Sequence, residues 1–183
     1  MSTTAPYGSW ESPVSAADTV ADVVRFSDLQ YDNGTLYWIE SRPSEGGRSA
    51  LVRRTAGGAL EDVLPNTVNV RTMAHEYGGG AYQVASGDLV YSEYGDQRLY
   101  RLASDGRAAP LTPEPPRPQS TRFADAVQLP GGSLIAVRED HPVEGEAVNE
   151  LVMVGTDGVV EVSASGCDFY STPRLSPDGT RLA

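Results

Sequence analysis

Asn33-Gly34-Thr35-Leu36, Ser86-Gly87-Asp88-Leu89, Gly131-Gly132-Ser133-Leu134 and Asp178-Gly179-Thr180-Arg181-Leu182 are four versions of one phrase, a glycine turn opening into an apolar strand. Their leucines lie 53, 45 and 48 residues apart, the spacing of a repeated supersecondary unit. A second glycine turn falls inside each interval, at Ala56-Gly57-Gly58, Ser104-Asp105-Gly106 and Thr156-Asp157-Gly158. Each unit therefore reads as four strands joined by alternating turns and loops, which is the composition of a propeller blade.

Working outward, the expected blades span about 24–64, 80–112, 122–163 and 168–183, the last only begun. The fold class is all-β, a partial β-propeller of about three complete four-stranded blades plus the start of a fourth. Residues 1–25 form an N-terminal segment ahead of an incomplete propeller domain over 26–183. The runs Leu36-Tyr37-Trp38-Ile39, Leu89-Val90-Tyr91 and Leu151-Val152-Met153-Val154 lack in/out alternation, as strands covered on both faces do. One short helix is predicted over 14–24, where Ala16, Ala17, Val20, Val23 and Val24 recur at helical spacing behind Pro13 and Ser15. Because a meander alternates ends, the tight glycine turns gather at one end and the longer loops at the other. Loops on a rigid scaffold carry function more often than the scaffold does.

Composition removes several classes of activity. A net charge of −11 opposes binding to phosphate backbones and anionic membranes, so neither nucleic acid nor membrane is an expected partner. No apolar run reaches the ~20 residues that span a bilayer, and residues 1–8 carry no basic start or apolar segment. The single cysteine, Cys167, excludes an internal disulfide and points to a reducing cytoplasm.

The chemistry-bearing motifs resolve mostly into structure. His75-Glu76 lacks the second histidine that a zinc helix needs, and no metal or cofactor is expected. Gly78-Gly79-Gly80 precedes the strand Ala81-Tyr82-Gln83-Val84 rather than a helix, so it predicts close backbone packing and not a phosphate cradle. There is no Gly-x-Ser-x-Gly elbow, and the paired carboxylates Glu61-Asp62 and Glu139-Asp140 point to opposite sides if extended. No catalytic residue is assigned. A metal-dependent propeller would need ligands from Asp28, Gln83, Asp125 and Gln128.

Several phrases in order resemble the N-terminal propeller of the prolyl oligopeptidase family of serine peptidases, in its bacterial dipeptidyl aminopeptidase and acylaminoacyl-peptidase-like branch. They are Ala5-Pro6-Tyr7-Gly8-Ser9-Trp10-Glu11-Ser12-Pro13, Leu36-Tyr37-Trp38-Ile39-Glu40-Ser41-Arg42-Pro43, Asn69-Val70-Arg71-Thr72 running to His75-Glu76-Tyr77-Gly78-Gly79-Gly80, Val137-Arg138-Glu139-Asp140-His141, and Asp168-Phe169-Tyr170-Ser171-Thr172-Pro173-Arg174-Leu175-Ser176-Pro177-Asp178-Gly179. The resemblance implies a scaffold that gates access of short peptides to a C-terminal α/β-hydrolase domain, the partner absent from this sequence. It implies a chain truncated before that domain and inactive by itself. Arg42, His75, Glu76, Arg138 and His141 become candidates for lining the substrate cavity or the interface. The alternative reading is a non-enzymatic, Tol-like propeller that binds a protein. Open blade edges and faces also predict self-association.

Overall fold

Leu89, Val90 and Tyr91 are consecutive and all at most 3% exposed, so the strand that carries them is covered on both sides. That requires sheets stacked face to face, and the computed structural model, which describes residues 4–19 and 23–183, has that arrangement. Twelve strands form three four-stranded antiparallel meanders, each in simple chain order. The first comprises β1 (Arg25–Asp32), β2 (Thr35–Arg42), β3 (Arg48–Arg54) and β4 (Leu60–Asp62). The second comprises β5 (Tyr82–Ala85), β6 (Asp88–Ser92), β7 (Leu99–Leu102) and β8 (Ala108–Pro110). The third comprises β9 (Thr121–Gln128), β10 (Leu134–Asp140), β11 (Val148–Val154) and β12 (Val160–Ser165). Contacts of β1 with β5 and of β5 with β9 place the first strands of the three sheets side by side.

Two cores fill the gaps between sheets. Ile39, Leu51 and Leu64 of the first unit meet Tyr82, Val84, Leu89 and Tyr91 of the second. Val90, Leu99 and Leu111 meet Phe123, Ala126, Leu134 and Ala136 of the third. The faces are then stitched by polar groups. Gln30 clamps the next sheet's backbone, donating through Nε2 to the Tyr82 carbonyl at 2.9 Å and accepting from Val84 N–H at 2.9 Å. Asp32 accepts the N–H groups of Ser86 and Gly87, both at 2.8 Å, which fixes the neighbouring hairpin turn.

The glycine run packs as its sequence predicts. A Cβ on Gly80 would lie 2.8 Å from Asp125 Oδ1, and one on Gly79 would lie 3.0 Å from the Ala124 Cβ. Only glycine lets this segment approach β9 so closely. Asp125 itself sits in a left-handed conformation (φ 54°) where the β9–β10 register shifts, a bulge that turns its side chain out of the ladder. Its Oδ1 accepts Gly80 N–H at 2.6 Å and its Oδ2 accepts Thr172 N–H at 3.0 Å, so one carboxylate joins three units.

The expected fourth blade is represented by a hairpin in which Arg174 and Ala183 exchange both backbone hydrogen bonds, at 2.8 and 3.0 Å, beside a bridge between Leu175 and Leu182. The helix expected over 14–24 is corrected in its described part. Residues 16–19 form a turn, with Thr19 N–H on the Ser15 carbonyl at 3.3 Å, and residues 20–22 lie outside the described residues. Asp18 Oδ2 accepts the Ser15 N–H at 2.8 Å and Ser15 Oγ accepts the Asp18 N–H at 3.1 Å, a reciprocal cap that opens the single turn the described residues show.

Candidate functional site

The long-loop end converges on the backbone of His75 and Glu76. Both residues are left-handed, with φ 56° and 66°, a conformation that costs a non-glycine residue on the order of 1 kcal/mol and persists only where its surroundings enforce it. Four contacts do so. His75 N–H donates to Glu139 Oε2 at 2.8 Å, joining the β4–β5 loop to β10. The His75 ring meets Asn149 Oδ1 through Nε2 at 3.1 Å, while Asn149 Nδ2 donates to the Asp168 carbonyl at 2.9 Å, so the histidine Nε2 carries the proton. The Phe169 ring packs edge-on against His75 with centroids 5.4 Å apart. Arg122 Nη1 donates to the Met73 carbonyl at 2.9 Å and to Glu76 Oε1 at 2.8 Å.

Glu139 is the anchor of this cluster. Its side chain is 3% exposed, and its oxygens accept from His75 N–H, from Arg122 Nη1 at 3.2 Å and from His141 Nε2 at 2.7 Å. A buried carboxylate is tolerable because each oxygen is engaged. Arg122 also holds the Glu76 carboxyl below the usual carboxylate range by hydrogen bond and charge. Ligand atoms of Glu76, Glu139 and His141 approach within 4.8 Å of one another. The Arg122 guanidinium bonds both carboxylates there and supplies the positive charge that a metal ion would.

A cavity of about 490 Å³ opens over the cluster, lined by His75, Glu76, Glu139, His141, Asn149 and Phe169, with Glu146 and Asp168 at its rim. Its polar lining is acidic, suited to a small ligand that carries a cationic group. Among the described residues neither histidine ring bonds a serine hydroxyl: one meets Asn149 and the other Glu139. The site can bind and orient, and it holds no nucleophile–base pair.

Three of the five residues singled out from the sequence, His75, Glu76 and His141, are thus brought together, and two are not. Arg42 lies in the first sheet, where it grips Asp62 bidentately at 2.8 and 2.7 Å, Glu40 at 2.8 Å and Glu45 at 3.2 Å. Arg138 points to the opposite face of β10 from Glu139, binds Glu150, and lines a second cavity of about 570 Å³ with Phe123 and Pro142, which His141 also borders. Glu139, Arg122, Asn149 and Phe169 were not singled out. The signal for Glu139 is the alternation Val137, Glu139, His141, which shows once β10 is seen to run through to Asp140. Of the carboxylates and amides named for a metal-dependent propeller, Asp125 has both oxygens on backbone N–H groups and Asp28 Oδ2 accepts from the Ser27 hydroxyl, while Gln83 and Gln128 donate through Nε2 to the Val84 carbonyl and to Asp88.

No family model and no curated protein matches the chain. Solved structures do. A puromycin-hydrolysing peptidase of Mycobacterium tuberculosis superposes with a TM-score of 0.85 at 34% identity over 99% of this chain. A puromycin hydrolase gives the same TM-score at 35% identity over 99% of the chain. A variant of puromycin hydrolase complexed with PGG gives 0.85 at 36% over 98%. The chain matches the N-terminal propeller of prolyl oligopeptidase family peptidases. It spans 30% of the length of each of these relatives. The family resemblance and the open propeller read from the sequence therefore agree with the fold, and no helix among the described residues is long and apolar enough to cross a membrane.

Proposed function

We propose that this chain is the substrate-gating propeller portion of a prolyl oligopeptidase family serine peptidase that cleaves short peptides, with the cavity over His75, Glu76 and His141 facing the substrate. The observation that carries the reading is the superposition at 34–36% identity on peptidases whose described activity is puromycin hydrolysis, one of them holding PGG. The enforced left-handed turn supports it, because strain of this kind gathers at ligand clamps. A C-terminal α/β-hydrolase domain supplies the nucleophile, and the propeller positions and sieves. The exposed Cys167 fits a reducing cytoplasm.

Two assays test this. The 183-residue chain alone leaves puromycin and aminoacyl chromogenic substrates intact; turnover abolished by a serine-directed inhibitor overturns the reading. Substituted for the corresponding portion of puromycin hydrolase, the chain supports hydrolysis, and Glu76→Gln in that chimera raises KM with little change in kcat. An unchanged KM removes the cavity from the substrate path.

A further inference from the structure

Asn149 uses both ends of its amide to tie two walls of the cavity together. It lies on β11 directly across from Glu139 of β10 and is 5% exposed, and residues opposite each other in an antiparallel pair share a face. The two therefore hold His75 jointly, Glu139 by its backbone N–H and Asn149 by its ring. Because Asn149 Nδ2 is engaged with the Asp168 carbonyl at 2.9 Å, the atom that meets His75 Nε2 at 3.1 Å is Oδ1, which can only accept. The tautomer of His75 is thus set from β11, and the Phe169 and Tyr77 rings, with centroids 5.4 and 5.8 Å away, pack against the imidazole so oriented.

The other ring nitrogen is free. Among the described residues His75 Nδ1 has no hydrogen-bond partner, and the sealed side-chain atoms that lack one belong to Arg101 and Arg138. Nδ1 is therefore open to the cavity that His75 lines. The charged and titratable groups around the ring are Glu76 on its own turn, Arg122 from β9, Glu139 and His141 from β10, and Glu146 and Asp168 at the rim. Glu139 is engaged with the His75 backbone, Arg122 and His141, and Glu76 with Arg122. None of these side chains hydrogen-bonds a ring nitrogen of His75, so Asn149 fixes the ring without adding charge to it.

We propose that Asn149 is a positioning residue: it holds the neutral His75 imidazole in its Nε2–H tautomer, so that Nδ1 offers a lone pair to an N–H group of the bound substrate. The proposal rests on the cavity facing substrate. Asn149 acts through His75 and through the Asp168–Phe169 wall that its Nδ2 end secures.

The test is puromycin hydrolysis by the chimera with puromycin hydrolase, with each variant's KM taken as a ratio to the parent chimera across about pH 6–9, the range in which imidazole charge changes. Asn149→Asp sets a carboxylate beside Nε2, and its charge favours the imidazolium, which turns Nδ1 into a donor. The expected result is a KM raised about tenfold at neutral pH with little change in kcat, the loss of one hydrogen bond to a charged group. The ratio falls toward one as rising pH strips the imidazolium and restores the lone pair. Asn149→Leu raises KM without that pH dependence. A ratio for Asn149→Asp that is flat with pH overturns the proposal, as does a loss confined to kcat, which is what a merely structural part predicts. If Asn149→Asp does not fold, Asn149→Leu decides, and an unchanged KM overturns the proposal. Glu76→Gln separates the two readings. If its KM is unchanged, the cavity is off the substrate path and both fall; if its KM rises while the ratio for Asn149→Asp stays flat, only the part assigned to Asn149 falls.

Discussion

Glu139 Oε2 receives the backbone N–H of His75 at 2.8 Å, a bond between residues 64 positions apart that holds a left-handed backbone from a different sheet's strand. Removing it uncouples three groups at once, since Arg122 and His141 share the same carboxylate. Glu139→Ala is expected to cost about 3 kcal/mol, as loss of one partner from a buried ionic cluster does. Urea denaturation measures it, with Glu139→Gln costing less because the amide oxygen still accepts from His75.

Stability and function are expected to part company at Glu76. Its carboxylate is largely exposed, so the pair with Arg122 adds little to stability, whereas its φ of 66° favours glycine. Glu76→Gly therefore leaves the folded state unchanged or stabilises it by up to about 1 kcal/mol. The proposed role in substrate binding predicts a raised KM in the chimera despite that. Thermal melts and kinetics on one sample separate the two effects.

Gly80 and Asp125 form a pair suited to a double-mutant cycle. Gly80→Ala drives a Cβ to 2.8 Å from Asp125 Oδ1 and is expected to cost about 1–3 kcal/mol by overpacking. Asp125→Ala relieves that clash but frees two backbone N–H groups. The double variant is expected to be less destabilised than the sum of the singles, a non-zero coupling that chemical denaturation reads directly.

Gln30 is expected to contribute more than a surface amide. Gln30→Ala strands the Tyr82 carbonyl and the Val84 N–H in the interface between the first two sheets, at about 1–3 kcal/mol in unmet hydrogen bonding. Hydrogen exchange at Val84 should accelerate more than at strand β10, which the clamp does not touch.

Carboxylates in the first sheet respond to pH in opposite directions. Desolvation by the surrounding protein raises the Asp28 carboxyl above its ordinary range, with Asp125 adding to the shift. The folded state therefore holds that proton more tightly than the unfolded chain, and stability falls as pH rises through the window between the two values. Asp62 and Glu45 are held low by hydrogen bonds from Arg42 and Arg48, so their contribution is present above the ordinary carboxylate range and lost as pH falls. Asp28→Asn is expected to raise the melting temperature near neutral pH and to change it little in acid. Melting curves across pH check both signs.

The strands were legible because their punctuation is local. Asn33-Gly34, Ser86-Gly87 and Gly158 adopt positive φ at turns, and the intervening strands follow from residue preferences at those points. The cavity was legible only in part. His75 and Glu76 are adjacent in sequence, but what makes them a clamp is Glu139 and Asn149, brought in from another sheet. Arg42 illustrates the converse: a lone arginine in a loop reads as available, and only the register of β2 against β3 and β4 places Asp62 and Glu45 around it.

By itself the sequence determined a repeat of four short strands, the tight turns at one end of each repeat, and a resemblance to the propeller of a peptidase family. Turn chemistry and strand alternation act over a few residues, so they are written in local order. Only the tertiary structure decided which side chains share a site and how far each strand position is buried. Leu36, Leu89 and Leu134 occupy one position in the repeat; whether each is buried depends on the sheet stacked against it, which no single repeat contains.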